Sequence, residues 1–485
     1  MNAKSNEIYA LVLLFLFAFI LRIWDVSTYS IWFDEALNFR IASNSWDALW
    51  ISNYDPTPPL YYTLLKLYIN GQTSELSMRF VSLLFGSLSV AVFYKICELF
   101  CRKKIAFLVS VLFALSVHQI EYSQEARAYA MQFFFGVSAF YCVLQLIISE
   151  NLVYRRLITY VLLAACALYT HNISVFYILG FNLCVFHHCY QTSNKELFKR
   201  WFIANVILFL IWLPWPLVTV LSGEGNSFNW LKHISPIQFV LSTAKSIKIS
   251  ADPESVSFWD IAFIGLLCIG FVSLIKNKAY QTIYILIFMG FSTLCLVWLT
   301  GYVKPIFMAR TILFSTVISY LLLAICLSSL KERFSIPIYI VTVSLHLFYF
   351  YDFTTHRVSE NEQWAQALNY VQDNASTRLL VCTPSASWAI SFYNQKNTFS
   401  AYTITKGDAT LTKLELDLAK KIEAKKAGKN QLLQKFYFPV SNSQLTFMVS
   451  HCGKTTRDRI AAVFDLSPIK STSFKEIKLF TATVK

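Results

Sequence analysis

Long uninterrupted apolar segments constrain this chain more than any other feature of its sequence. Ile8–Ile23, Met78–Phe100 and Met308–Leu330 each approach the roughly 20 residues that an α-helix needs to cross the hydrocarbon core of a bilayer. Only 14% of the 485 residues are charged, against about 25% in an ordinary soluble domain. The sequence therefore predicts a polytopic α-helical membrane protein.

Hydropathy divides the chain before Asp352 into about eleven predicted membrane spans. The first span follows a short start that contains Lys4 and has no small-residue cleavage site, so we expect a retained anchor. Pro59–Ile69 is too short to span and begins with prolines, which favours a re-entrant or interfacial helix. The predicted spans are Ile8–Ile23, Met78–Phe100, Ile105–Val117, Ala130–Ile148, Leu157–Tyr169, Ile173–Phe186, Trp201–Val220, Phe258–Ile275, Ile283–Tyr302, Met308–Leu330 and Ser335–Phe350.

The positive charges of the loops predict how these spans are oriented. Short loops with clustered Lys and Arg belong in the cytoplasm by the positive-inside rule. They contribute Arg102, Lys103, Lys104, Arg155, Arg156, Lys195, Lys199, Arg200, Lys276, Lys278, Lys331 and Arg333. The N-terminus is then cytoplasmic, and an odd number of spans places the C-terminal segment outside. The outer side receives Trp24–Pro58, His118–Tyr129, Leu221–Ser257 and the chain after Asp352.

The distribution of charge excludes a nucleic-acid partner, and the spacing of the cysteines excludes a cysteine metal site. The charge of +14 is spread over short loops and over a tail in which lysines mix with acids, so the sequence excludes a nucleic-acid partner. Most of the 11 cysteines lie inside apolar segments, where a thiol is a small buried hydrophobe. No CxxC or other metal spacing occurs, and only Cys382 and Cys452 are candidates for pairing outside the membrane.

Hydropathy falls after Asp352, which predicts a membrane domain over residues 1–351 and a soluble extracytoplasmic domain over 352–485. The patterning of the tail is that of a small α/β fold. The predicted elements are a helix over Glu362–Asn374, a strand over Arg378–Thr383, a charged helix over Lys413–Lys426 and a strand over Gln444–Ser450.

Asp34 and Glu35 form the densest candidate site, because two adjacent carboxylates follow Trp32 and Phe33 in the first outer loop. An apolar environment raises the pKa of a carboxyl, and such a group can accept a proton from an attacking hydroxyl as a general base. The alternative is structural: Ala36–Ala42 is compatible with a short helix, and acids at its N-terminus would complement the helix dipole.

A second candidate site surrounds Asp55, which precedes a proline-rich turn and the aromatic pair Tyr61 and Tyr62. Prolines at the first turn of a helix fix the backbone, so Asp55 would be rigidly placed for a ligand or a metal. The alternative is an acidic cap on the helix that follows.

Cations on the outer side suggest a phosphate site. Arg127 lies at membrane depth in the motif Glu-Ala-Arg-Ala-Tyr-Ala, which begins at Glu125 and contains Tyr129, and it requires an anionic partner. Lys304 and Arg310 flank the start of the tenth predicted span. The planar fork of Arg matches phosphate, although a structural ion pair with Glu125 or Glu121, or contact with ordinary headgroups, would use the same cations. His171, in a polar break after the fifth span, is either a site residue or a structural one.

The order of these motifs resembles the bacterial glycosyltransferases related to dolichyl-phosphate-mannose protein mannosyltransferases, which have the GT-C fold and include the lipid A aminoarabinose transferases. An Asp-Glu pair is followed by Pro-Pro-Leu-Tyr-Tyr, Glu-Ala-Arg-x-Tyr-Ala, Tyr-Thr-His and a late Arg. The resemblance implies a polyprenyl-phosphate sugar donor, transfer on the outer face and Asp34 as the catalytic acidic residue. Thr57 replaces a histidine found in many relatives, which leaves a metal contact there open.

Taken with the residues, the resemblance predicts an inverting hexosyl- or pentosyltransferase of the bacterial inner membrane, acting on a glycan, lipid or protein acceptor. Membrane lipids are the other expected partners. A divalent metal is left open and no other cofactor is expected. A flippase or carrier for a lipid-linked sugar, or a non-catalytic partner in envelope polysaccharide assembly, is the alternative. The predicted site residues are Asp34 and Glu35 for catalysis, Arg127, Lys304 and Arg310 for the donor phosphate, Asp55, Tyr61, Tyr62, Glu125, Tyr129 and His171 for substrate, and Asp55 and His233 for a metal.

Overall fold

The described part of the chain falls into two compact units, seen in a computed structural model. It describes residues 3–51, 57–69, 74–148, 154–221, 233–250, 256–360, 362–373, 378–381 and 386–393, and the strands given below. The first unit is drawn from Met1–Trp24, Ile51–Leu64 and Arg79–Thr355, and the second from Asp25–Trp50, Leu65–Met78 and His356–Lys485. The predicted division at residue 351 stays a prediction, and the second unit also takes in Asp25–Trp50, which belongs to the first predicted outer loop.

Helices make up the first unit and begin the second. Many start at residues that satisfy free backbone N–H groups: Ser235, for example, accepts from the N–H of Gln238, whose side chain accepts from the N–H of Ser235. The helices are α1 (Ala3–Ile23), α2 (Phe33–Ala42), α3 (Trp46–Trp50), α4 (Leu60–Ile69), α5 (Glu75–Cys97), α6 (Lys103–Ala114), α7 (Val117–Ser123), α8 (Tyr129–Ile148), α9 (Tyr154–Thr170), α10 (Ser174–Thr192), α11 (Lys195–Trp212), α12 (Pro214–Leu221), α13 (Pro236–Ile247), α14 (Phe258–Lys276), α15 (Tyr280–Leu286), α16 (Ser292–Thr300), α17 (Ser315–Ser329), α18 (Glu332–Glu360), α19 (Trp364–Asp373) and α20 (Ala386–Tyr393).

Seven helices among the described residues are long and apolar enough to cross a membrane. Several keep most of their surface outside the protein core: only 17% of the most apolar part of Lys195–Leu221 is buried, and Phe202 and Leu210 are more than half exposed. A continuous apolar surface of this kind is not sustained in water, so these faces contact lipid. The chain is therefore a polytopic α-helical membrane protein.

The prediction of about eleven spans is not confirmed, because several predicted spans are shorter or broken. The predicted span Ile105–Val117 corresponds mainly to α6, and a bend of 57° near its end separates α6 from α7. The predicted span Met308–Leu330 begins with a 3-10 turn at Ala309–Ile312, and regular helix starts only at Ser315. A π-helical turn at Ile287–Phe291 joins α15 to α16 inside the ninth predicted span.

A mixed sheet forms the described core of the tail. The strands are β1 (Arg378–Val381), β2 (Ser400–Ile404), β3 (Leu411–Leu414), β4 (Lys435–Phe436), β5 (Leu445–Val449), β6 (Phe464–Asp465), β7 (Ser471–Phe474) and β8 (Ile477–Val484). Their order is β4-β3-β2-β1-β5-β8-β6, with β7 also paired to β8. β1 pairs in parallel with β2 and β5, so that Leu379 is in register with Ala401 and Thr446. Helix α20 is the crossover between the parallel strands β1 and β2.

The predicted elements of the tail agree with the structure except for one. The helix predicted over Glu362–Asn374 corresponds to α19, and the two predicted strands correspond to β1 and β5. The charged helix predicted from Lys413 is wrong at its start, because Lys413 pairs with Tyr402 in an antiparallel ladder. The rest of that predicted helix, and both Cys382 and Cys452, lie outside the described residues.

Candidate functional site

Two of the three predicted phosphate-binding cations meet at one aromatic ring in the first unit. The guanidinium carbon of Arg127 lies 5.6 Å from the centroid of the Tyr129 ring, and that of Arg310 lies 5.7 Å from the same centroid. Arg127 Nη2 also donates to the Tyr129 hydroxyl at 3.4 Å. Attraction between a cation and the negative face of an aromatic ring holds both side chains. Residues far apart in sequence are thus gathered into one cationic cluster, which we call the Tyr129 cluster.

His171 completes the Tyr129 cluster as a hydrogen-bond donor. Its ring lies 5.2 Å from the Tyr129 ring, between centroids. His171 Nδ1 accepts a hydrogen bond from the backbone N–H of Ile173 at 3.2 Å, so Nδ1 carries a lone pair. This assigns the proton of the neutral imidazole to Nε2, which can donate to an anion. Tyr122 packs on the same ring with a centroid distance of 6.0 Å.

Breaks between helices present the two arginines. Arg127 lies between α7 and α8, where the backbone turns tightly enough for its N–H to donate to the carbonyl of Glu125 at 2.7 Å. Arg310 lies in the 3-10 turn before α17, which Thr311 closes by accepting from the Met308 N–H at 2.9 Å. Both side chains are half-buried. Short breaks of this kind let a cation leave the apolar helix surface and lie where an anion can reach it.

Tyr61 and Tyr62, the aromatic pair of the second candidate site, are buried, and Tyr61 is linked to the backbone of Arg127. Tyr61 is fully buried, and its hydroxyl donates to Ser82 Oγ at 3.0 Å, while Ser82 Oγ donates to the Arg127 carbonyl at 3.0 Å. Tyr62 is 2% exposed and packs edge-on against Tyr61. The structure therefore gives Tyr61 a contact through which it positions Arg127. The substrate contacts predicted for Tyr61 and Tyr62 stay predictions.

A buried arginine that the sequence analysis missed supports the same break. Arg22 is fully buried at the end of α1 and donates to Ser123 Oγ at 3.2 Å and to the Ala114 carbonyl at 3.3 Å. Gln124 Nε2 in turn donates to the Arg22 carbonyl at 2.9 Å. The only sequence signal was a cation inside an apolar run. These contacts tie α1 to Ala114, the last residue of α6, and to Ser123, the last residue of α7, which lies four residues before Arg127.

Three further predicted site residues belong to the first unit. Lys304 is half-buried after α16, and its N–H donates to the Thr300 carbonyl at 2.8 Å. Glu125 is half-buried beside Arg127 in the chain. Asp55 lies outside the described residues.

His233 packs among aromatic side chains. Its ring lies 4.0 Å from that of Tyr302 and 5.8 Å from that of Trp298, between centroids. Within the described ranges, no three His, Cys, Asp or Glu side chains are grouped so that they could hold a metal ion. The metal site proposed for Asp55 and His233 thus stays a prediction.

Asp34 and Glu35 occupy the first turn of α2 in the second unit, and they differ in burial. Glu35 is fully buried, and its carboxylate accepts a hydrogen bond from the backbone N–H of Trp32 at 3.2 Å. Asp34 is only half-buried. Glu35 therefore performs the structural task foreseen for an acid at a helix N-terminus.

A distant acid, Glu362, completes this helix start. Glu362 Oε2 accepts from the Phe33 N–H at 3.0 Å and from Trp364 Nε1 at 2.6 Å. The Tyr393 hydroxyl accepts from the Ile31 N–H at 2.8 Å and donates to Glu75. No local signal in the sequence pointed to Glu362. The start of α2 is thus fixed by two side chains of the tail, Glu362 just before α19 and Tyr393 in α20.

The far end of α2 is held by a lysine. Lys66 Nζ donates to the carbonyls of Ala42 at 3.2 Å and Asn44 at 2.7 Å, and it lies 5.2 Å from the Trp46 ring centroid. A cation at the C-terminal end of a helix complements the helix dipole. Burial lowers the pKa of the Lys66 ammonium. Both ends of α2 are therefore fixed by side chains of opposite charge.

Comparison with known proteins shows a match in structure only. No protein-family model and no curated protein matches the sequence. The apo structure of ArnT from Cupriavidus metallidurans superposes with a TM-score of 0.65 at 11% identity, covering 100% of this chain and 99% of that chain. The structure of the same protein bound to undecaprenyl phosphate gives a TM-score of 0.58 at 11% identity, with the same coverage. The chain therefore has the GT-C fold of membrane glycosyltransferases.

Proposed function

We propose that this protein is a glycosyltransferase that moves a sugar from a polyprenyl-phosphate donor to an acceptor at the outer face of a bacterial inner membrane. The observation that carries the proposal is the Tyr129 cluster, in which Arg127 and Arg310 share one aromatic ring beside His171. Two guanidinium groups and an imidazole N–H provide directed donors for phosphate oxygens. The fold adds support, since ArnT, which shares it, has been solved with undecaprenyl phosphate.

Phosphate binding at this cluster would serve the leaving group of the transfer. As the bond between the anomeric carbon and the phosphate oxygen breaks, negative charge grows on the phosphate, and fixed cations stabilise it. The polyprenyl phosphate that leaves is a stable anion and needs no general acid. One carboxylate is then sufficient to take the proton of the acceptor hydroxyl, unlike the two that glycoside hydrolysis normally uses.

Asp34 is the residue that we propose as this base. Glu35 is buried and accepts from the Trp32 N–H, so its carboxylate is engaged in starting α2. Asp34 follows Phe33 in the same turn and is more exposed. A single displacement that uses one base inverts the configuration of the anomeric carbon.

Binding of undecaprenyl phosphate to the full chain in lipid nanodiscs tests the phosphate site. Arg310→Gln and Arg127→Gln each remove one charged donor, a loss of about 1.5–3 kcal/mol, so we expect Kd to rise at least tenfold in each variant. Tyr129→Leu removes the ring that holds both cations and should weaken binding as well, whereas Tyr129→Phe keeps the ring and should bind nearly as wild type.

Arg333→Gln is the matched control, because Arg333 is exposed and its guanidinium lies over Phe334, away from the cluster. Thermal unfolding of each variant separates lost binding from lost folding. Unchanged affinity in folded Arg127→Gln and Arg310→Gln proteins would show that these cations serve structural or headgroup contacts, and it would remove the main support for the proposed function.

A further inference from the structure

A groove opens between α5, α8 and α9 in the first unit. It encloses about 380 Å³, and its lining includes Val92, Ser138, Tyr141, Cys142, Arg155 and Arg156. Most of the lining is apolar, and the two arginines supply its charge. A channel with apolar walls and cations at one end is complementary to an anionic amphiphile.

The groove lies far from the Tyr129 cluster. α8 begins at Tyr129, and Cys142 follows 13 residues later, which corresponds to about 20 Å along the helix at 1.5 Å per residue. α9 runs from the groove at Arg155 to Thr170, immediately before His171. The Tyr129 cluster and the groove therefore occupy opposite ends of the α8–α9 pair. In the predicted topology the arginines of the groove face the cytoplasm.

The arginines at the mouth are placed for an anion. Arg156 Nη1 donates to the carbonyl of Gln145 at 3.1 Å, which orients its guanidinium beside the end of α8. Arg155 is exposed at the first turn of α9.

Ser138 supplies a second and independent sign of a ligand. Its side chain is 8% exposed, and among the described residues its hydroxyl has no hydrogen-bond partner. Other buried serines of the bundle behave differently: Ser87 and Ser110 each donate to the carbonyl four residues earlier at 2.7 Å. A buried hydroxyl without a partner costs free energy, and an acceptor on a molecule in the groove would satisfy it.

We propose that this groove binds an anionic membrane phospholipid. Its phosphate would lie at Arg155 and Arg156, its acyl chain along Val92 and Cys142, and an ester carbonyl within reach of the Ser138 hydroxyl. A phospholipid is the occupant that the observations favour, since the groove belongs to a helical surface that faces lipid and joins cations to an apolar channel. The proposal does not depend on the transferase activity.

Native mass spectrometry of the full chain, titrated with phosphatidylglycerol, tests this proposal. We expect the double variant Arg155→Gln/Arg156→Gln to weaken phosphatidylglycerol binding at least tenfold. The control Lys276→Gln/Lys331→Gln removes the same charge from exposed positions on the same predicted side and should bind as wild type. Ser138→Ala, which removes the hydroxyl with the smallest change in volume, should weaken binding several-fold.

Competition distinguishes the sources of phosphate. Phosphatidylcholine and millimolar inorganic phosphate should not displace phosphatidylglycerol. Equal binding by both double variants overturns the proposal. Displacement by inorganic phosphate would show a site for free phosphate instead, and preferential displacement by undecaprenyl phosphate would show a second site for the polyprenyl chain. If Arg155→Gln/Arg156→Gln loses phosphatidylglycerol binding and still binds undecaprenyl phosphate, the groove and the Tyr129 cluster are separate sites.

Discussion

The two units of the protein hold their charged motifs in different ways. In the first unit, Arg127 and Arg310 lie in breaks between helices, and their guanidinium groups are gathered by the ring of Tyr129. In the second unit, Asp34 and Glu35 are neighbours in sequence, yet Glu35 is fully buried and accepts from the Trp32 N–H, whereas Asp34 is half-buried. The difference teaches that two neighbours in sequence can have different environments, whereas two residues far apart in sequence can share one aromatic ring.

The largest expected effect is that of Asp34→Asn on turnover. It tests whether Asp34 is the base while Glu35 has a structural role. The substitution keeps the shape of the side chain and removes its basicity, so turnover should fall by about a hundredfold or more while donor binding largely survives. Glu35→Gln should instead lower the stability of the protein and retain most of its turnover. Both variants are measured by sugar transfer in a purified, lipid-reconstituted assay and by thermal unfolding.

The reverse pattern would break the comparison. Near-normal turnover by Asp34→Asn would remove Asp34 as the base. Loss of turnover in Glu35→Gln alone, in a protein that unfolds at the wild-type temperature, would move the base one residue along the chain. It would also mean that a carboxylate engaged with the Trp32 N–H can serve in chemistry.

Gly86→Ala sharpens the comparison for the first unit. It should disturb the packing of Ser123 and Arg22, which support the break between α7 and α8 that carries Arg127. A Cβ at Gly86 would lie 2.1 Å from Ser123 Oγ and 3.3 Å from Arg22 Nε. Overpacking of this kind costs about 1–3 kcal/mol, so we expect a lower unfolding temperature and weaker binding of undecaprenyl phosphate.

Gly265→Ala is its matched control, because no atom outside its own helix neighbourhood lies within 4 Å of the added Cβ. Alanine is favoured over glycine inside a helix by about 0.5–1 kcal/mol, so this variant should be as stable as wild type or more so. Identical unfolding temperatures and donor affinities for the two variants would show that the contact of α5 with Ser123 does not position Arg127.

The smallest expected effect is that of Lys66 on the pH dependence of the stability of the second unit. Burial lowers its pKa from the ordinary value of 10.5, so between the folded pKa and 10.5 the unfolded chain binds more protons. The contribution of Lys66 to stability therefore rises with pH over that interval. Lys66→Met should show a smaller gain in unfolding temperature between mildly alkaline pH and pH 10 than wild type does. Exposed Lys276→Met should follow wild type, and a Lys66→Met profile parallel to both would contradict the burial effect.

Sequence patterning was sufficient for the features that depend on local chemistry. Apolar runs predicted membrane helices because each run must satisfy its backbone internally in lipid. The change of pattern after Asp352 predicted an α/β tail, and Trp364–Asp373 is indeed a helix. Cations that ran against the loop bias singled out Arg127, Lys304 and Arg310 for a phosphate, and the structure places Arg127 and Arg310 beside Tyr129, while their phosphate-binding role stays a prediction.

What sequence patterning missed depends on contacts between distant segments. The bend between α6 and α7 is stabilised by Arg22 from another helix, so the apolar run Ile105–Val117 looks like one straight span. Glu362 supports the start of α2 from the tail by accepting from the Phe33 N–H. Lys413 looked helical because of the charges that follow it, but pairing with Tyr402 decides its backbone conformation.

The sharing of Tyr129 by two cations links ligand occupancy to folding. Both guanidinium carbons lie within 6 Å of one ring centroid, so they are at most about 11 Å apart. Two unit charges at that distance near a protein surface repel each other by about 1–2 kcal/mol. An anion between them would cancel that repulsion, and a molecule that binds only the folded state raises its stability by mass action. The lipid phosphate proposed as the ligand of this cluster would then act as a conformational cofactor of the protein, so that depletion of that lipid would lower the lifetime of the protein.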